Sequence, residues 1–180
     1  MLTFARVRAL AIVALLFAGA LVAVYLAVSR DTTGAAETSG RGCPEGSVIA
    51  DLALPDVRNV KVNVYNGTNQ TGLAAQLAED FANRDFEVLE HGDDPLGSEV
   101  EEVAVLRYGP KAVGASYVLQ AYFLNDAHTD FDIEREDDTV DGVIGSQFRQ
   151  LATETEVKQS IAARASVLGD PEPPPGTCAG

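Results

Sequence analysis

Apolar and polar residues alternate without a break over residues 60–65: Val60, Val62 and Val64 fall on one side, Lys61, Asn63 and Tyr65 on the other. A period of two predicts a half-buried strand. From Thr71 the period lengthens. Leu73, Leu77 and Phe81 recur at helical spacing, with Ala74 and Ala78 behind them, which predicts a helix. "FEVL" (86–89) reads as a short second strand. "EVAVLRY" (102–108) is almost continuously apolar, as a central strand should be. Gly109-Pro110 opens a second helix, because proline is favoured at the first helical position, and Ala112, Ala115, Val118, Leu119 and Tyr122 supply its buried side. "TVDGVIG" (139–145) is a fourth strand. Thr153 and Glu156 form a capping box ahead of a last helix, with Val157, Ile161, Ala165 and Leu168 on one face.

The pattern therefore predicts an α/β fold: a small, mainly parallel four-stranded sheet from two βαβ units plus a C-terminal helix. The mixed face of the first strand implies that one side of the sheet is only partly covered.

Residues 9–29 carry no charge and follow Arg6 and Arg8. About 20 apolar residues cross a bilayer as a helix. A cleaved signal peptide needs only about 7–15, so the length favours an uncleaved signal anchor. With the basic residues ahead of the span, residues 1–8 are expected in the cytoplasm and the rest of the chain outside the membrane. Residues 30–42 are small, polar and aperiodic, and read as a flexible linker. The folded domain is expected over 43–169. A Pro-rich tail, 170–180, should run extended across its surface.

Cys43 and Cys178 are the two cysteines, one at each end of this domain. In an exported protein such a pair reads as a disulfide. Neither has a second Cys or a His at ligand spacing, so no metal site is expected. Nor does Cys43 suit a lipid attachment site, being far downstream of the apolar run.

Charge narrows the field. The chain has 13 Lys and Arg against 27 Asp and Glu, a net charge of −14. Nucleic-acid binding rests on cations facing phosphates, so no nucleic acid is expected. The acids are densest in "DAHTDFDIEREDD" (126–138). Its sixth EF-hand position would be Arg135, where a calcium loop needs glycine. The segment reads instead as a solvated edge, whose charges also discourage edge-to-edge pairing.

"NGTNQTG" (66–72) spaces Gly67 and Gly72 as a P-loop does, but Leu73-Ala74 stands where Lys-Ser/Thr is needed. No nucleotide or other cofactor is expected. Both Asn66-Gly67-Thr68 and Asn69-Gln70-Thr71 are glycosylation sequons. Conformationally, Asn66-Gly67 tolerates positive φ at a sharp turn, and Thr71 can cap the helix. His91 and His128 lie in polar stretches, and "GASYV" (114–118) is not a nucleophile elbow. No catalytic residues are assigned. If the sheet carries a groove, the loops after the first and third strands should meet there. Asn66, Gly67, Thr68 and Thr71 would come from one loop, and Arg107, Tyr108 and Lys111 from the other.

"VKVNVYNGTNQTGLAAQLAEDFANRDFEV" closely resembles the opening of the LytR C-terminal domain family. "VAVLRYGPKAVGASYVL" and "DTVDGVIGSQF" are similar to its later strands, so the resemblance covers about 58–150. Asp85 departs from the family's usual glycine, but Asp tolerates the left-handed conformation well. The resemblance implies a stand-alone, non-catalytic accessory protein of the actinobacterial cell envelope, anchored in the membrane. It would bind wall glycan or peptidoglycan. Alternatively it would act as a scaffold for LytR-CpsA-Psr glycopolymer ligases through its acidic face. A carboxylate-based wall hydrolase or ligase is a third reading.

Overall fold

The computed structural model describes residues 43–169 and 171–179. The expected segments 1–8, 9–29 and 30–42 lie outside them. Among the described residues, no helix is long and apolar enough to cross a membrane. Residues 43–180 form one compact unit.

The elements run β1 (Val48–Ala50), a 3₁₀ turn (Val57–Asn59), β2 (Lys61–Asn66), α1 (Leu73–Ala82), β3 (Glu87–Asp93) and β4 (Ala104–Tyr108). There follow a 3₁₀ turn (Pro110–Ala112), α2 (Val113–Tyr122), β5 (His128–Phe131), β6 (Thr139–Ile144), α3 (Glu154–Leu168) and β7 (Thr177–Ala179). The main sheet is five-stranded, in the order β3-β2-β6-β4-β5, and β1 and β7 form a separate two-stranded sheet. The class is α/β as expected, but the main sheet is mixed and has five strands rather than four.

One short connection explains the difference. The expectation paired "EVAVLRY" with 139–145 in a second βαβ unit. That unit instead closes on β5, which lies parallel beside β4 at the sheet edge. Residues 132–138 then return the chain across the end of β4, with the Asp132 N–H donating to the Tyr108 carbonyl at 3.0 Å. A parallel strand needs a crossover of about a dozen residues or more, and this connection is too short for one. So β6 descends antiparallel to β4 while lying parallel to β2. Gly109 sits beneath the return, where a Cβ would collide with the backbone of Arg135.

Strand register gives the two faces of the sheet. Val62, Val64, Ala104, Leu106, Val140 and Ile144 share one face and are fully buried. Both α1 and α2 cover that face, and aromatic rings meet between them: Phe81 and Tyr122 ring centroids are 6.4 Å apart, and Phe86, just after α1, lies 4.8 Å from Tyr122. Lys61, Asn63, Tyr65, Val105, Arg107 and Asp141 share the other face and are half-buried. The partly covered side expected from β2 is present.

α2 is buried along its whole length rather than on one face. The sheet lies under it and α3 packs beside it. The backbone of Leu52 and Ala53 comes so close that a side chain at Gly114 would strike it. α3 starts at the expected capping box, the Thr153 N–H donating to Glu156 at 2.8 Å. Its apolar face is shorter than expected: Val157 and Ser160 are buried and Ile161 half-buried, while Ala165 is exposed. Cys43 and Cys178 are joined in the expected disulfide, with 5.8 Å between Cα atoms, and β7 pairs with β1 beside it.

Candidate functional site

β2 ends at Asn66, a buried residue at 8% exposure. Its Oδ1 accepts from the Thr68 N–H at 3.1 Å and from the Thr68 hydroxyl at 2.8 Å. Its Nδ2 donates to the Gln70 carbonyl at 2.9 Å, and the Gln70 N–H donates to Thr68 Oγ1 at 3.1 Å. These local bonds hold the turn shut. Gly67 does not take positive φ here, contrary to expectation; close packing is what requires glycine. A Cβ there would lie 2.8 Å from Val100 Cγ2 and 3.0 Å from the Ile144 carbonyl oxygen. The Gly67 N–H donates to Ile144 at 2.9 Å, and its carbonyl accepts from Val100 at 2.8 Å. The corner thus fastens the ends of β2 and β6 to the segment after β3.

That segment closes a cleft of about 200 Å³ over the end of the sheet, lined by Asn66, Gly67, Thr68, Asn69, Asp93, Asp94, Ser98 and Glu99 among others. Asp94 and Arg107 are its foundation. Arg107 reaches Asp94 with both terminal nitrogens, at 2.7 and 3.1 Å, and Ser98 Oγ at 3.1 Å. The Asp94 side chain is 2% exposed. Burial raises the Asp94 pKa. The Arg107 bonds and the N–H groups of Ser98 and Leu96 outweigh it and hold the carboxyl at about 2. The same pairing pushes Arg107 up.

The expected groove residues separate. Asn66, Gly67 and Thr68 line the cleft, and Arg107 braces it from below. Thr71 neither lines it nor caps α1: the N-cap is Gly72, at φ 80°, with no side-chain cap. Because β4 runs antiparallel to β6 and hence to β2, Tyr108 and Lys111 lie toward the other end of the sheet. Tyr108 is buried against Phe131, with 5.7 Å between ring centroids, and borders a different cavity.

The acid-rich segment forms the edge expected of it, in part as strand β5. Arg135 anchors its return by holding Asp141 at 2.7 Å and Asp137 at 2.9 Å. Lys61 holds Asp138 at 2.8 Å. Asp126, Asp130, Asp132, Glu134 and Glu136 remain exposed. Both His91 and His128 are exposed. Among the described residues, no group of three or more His, Cys, Asp or Glu side chains could hold a metal ion.

The family model of the LytR cell envelope-related transcriptional attenuator, LytR_C, matches residues 59–148, half of the chain. The chain belongs to the LytR C-terminal domain family. The LytR C-terminal domain is non-catalytic. Its span here runs from the start of β2 to just past β6, so it holds the corner, the cleft and the Asp94–Arg107 pair, and leaves out α3 and the disulfide. The fold is similar to a crystal structure of the soluble domain of a conserved hypothetical secreted protein from Mycobacterium marinum. Identity is 21%, the match covers 70% of this chain and 83% of that one, and the TM-score is 0.52. No curated protein matches the chain.

Within this LytR C-terminal domain, the expectation missed Asp93, Asp94, Ser98 and Glu99, which lie in a stretch legible only as a turn. A proline–glycine turn shows where the chain bends, not what it bends over. Asp94 gave one weak signal: an acid just after a strand, in a chain whose next strand carries a lone Arg.

Proposed function

We propose that this LytR C-terminal domain is an accessory binding module of the cell envelope, held outside the membrane by the apolar segment 9–29, and that it binds wall glycan at the cleft above β2 and β3. The observation that carries the reading is the cleft's position and chemistry. It lies inside the family-matched span, and its lining residues are polar side chains and two glycines. The corner's own groups are committed to one another and the Ser98 hydroxyl to Arg107, so contact falls to the exposed side chains of Asn69, Asp93 and Glu99. An amide and two carboxylates suit sugar hydroxyls, which both donate and accept.

The test is co-sedimentation of residues 43–180 with isolated wall sacculi at low and high salt. Pelleting at both is expected, because hydroxyl-mediated contacts are screened far less than charge pairs. Asn69→Ala with Glu99→Ala should release the protein. Failure to pellet at either salt would defeat the reading.

A second reading rests on the five exposed acids of 126–136. They offer a surface for a basic partner among the LytR-CpsA-Psr ligases, with the domain as scaffold. High salt should dissolve that contact.

A further inference from the structure

A second cavity lies away from the cleft, between α2, the β5 edge, α3 and the Pro-rich tail, and has a volume of about 440 Å³. Small-ligand pockets typically run from about 300 to 1,000 Å³. Val113, Ser116, Tyr117 and Gln120 form its α2 wall, at successive turns of the helix. Tyr108 stands at one side, and Pro171 and Pro174 of the tail at another. The tail is fixed where it lies by the pairing of β7 with β1 and by the Cys43–Cys178 disulfide. A wall already ordered costs little to order again when a ligand arrives.

Arg164 is the unusual member. It falls seven residues after Val157 and three after Ile161, on the face of α3 that turns toward α2. Its guanidinium carbon lies 4.1 Å from the centre of the Tyr117 ring. Stacking satisfies one face of the plane, but the N–H groups point outward within that plane and need acceptors. Nε and Nη1 are both buried and have no hydrogen-bond partner among the described residues. Leaving a buried donor unmade is costly, and more so on a charged group. Glu172 also borders the cavity, yet it is exposed and makes no bond to either nitrogen.

We propose that this cavity is a binding site for a small monocarboxylate with a flat or apolar body, its carboxylate received by Arg164. Tyr117, Tyr108, Val113 and the tail prolines would enclose the body. One negative charge suits the place better than two. The chain as a whole carries −14, and Glu172 stands at the cavity wall, so a phosphate dianion would meet more repulsion. Arg164 and the tail lie beyond the family-matched span, so the proposal stands apart from the glycan reading.

The test titrates residues 43–180, disulfide intact, with sodium benzoate while following the Arg164 Nε–H signal by NMR. A saturable shift is expected. Benzamide, the neutral counterpart, and methyl phosphate should bind at least tenfold more weakly. Arg164→Gln should weaken benzoate at least tenfold. An unmoved Nε–H signal, or benzamide binding as well as benzoate, would overturn the proposal on the unaltered protein, whatever the variant's stability. Glu172→Gln checks whether the chain's own acid fills the place. With no benzoate present it should leave the Nε–H signal where it was, and a shift there would also overturn the proposal.

Discussion

The corner after β2 and the cavity beneath the tail both hold polar groups, yet they differ in what is left over. At the corner, Asn66 Oδ1 and Nδ2, the Thr68 hydroxyl and the Gln70 N–H are all used within five residues. In the cavity, two nitrogens of Arg164 are buried and have no partner among the described residues. A polar motif that satisfies itself is building material, since a ligand would have to break bonds to make its own. Surplus buried donors are the stronger sign of a guest, because only a guest removes their cost. The corner is also covered by the family match, whereas Arg164 is not.

Separate perturbations should show the two regions to be independent. The largest effect is expected from Cys43→Ser with Cys178→Ser, which opens a loop with a sequence separation of 135. Chemical denaturation should show a loss of about 3–5 kcal/mol. Benzoate should lose its site with the tail wall, while the Gly67 amide signal at the corner stays in place. Next comes Asp94→Asn, which leaves Arg107 half-buried without its anion and should cost about 3 kcal/mol. It should also flatten the acid limb of the stability profile. The Asp94 carboxyl sits at about 2 in the fold against an ordinary 3.8, so the fold binds fewer protons than the unfolded chain between those values. Its contribution, about 2 kcal/mol, is complete above about pH 4 and disappears as pH falls through about 2. Gly67→Ala should cost about 2 kcal/mol, because Val100 and the Ile144 carbonyl must give way. Benzoate affinity should be unchanged in both of these variants. The smallest effect is expected from Lys111→Ala, an exposed residue at the end of the sheet away from the cleft: under about 0.5 kcal/mol and no change in wall pelleting.

Local pattern and long-range pairing were not equally legible. β2, α1, α2 and the capping box of α3 announced themselves because alternation, helical spacing and caps are short-range properties. The disulfide was legible from the position of two cysteines in an exported chain. Asp85 does take the left-handed conformation, at φ 66°, as its place after α1 required. Strand direction was a different matter. Nothing in "TVDGVIG" says that it runs against β4; the length of the return after Phe131 decides it, and that return is visible only once β5 is recognised. β1 and β7 are three-residue strands that exist through each other, so neither carries a pattern of its own. Of the cleft, the corner side could be read because it is a compact motif, and the Asp94 side could not. Arg164 left a trace, a cation on the buried stripe of a helix, but the expected stripe passed through Ala165 and Leu168 instead.

The disulfide has a mechanical side. It joins residue 43 to residue 178, the first and nearly the last residues of the folded unit. A pull applied between the two ends of that unit would travel through one sulfur–sulfur bond. The core strands, both cavities and the corner would hang beside the line of force as a closed loop, carrying almost no load. Reduction would reroute the tension through the whole fold.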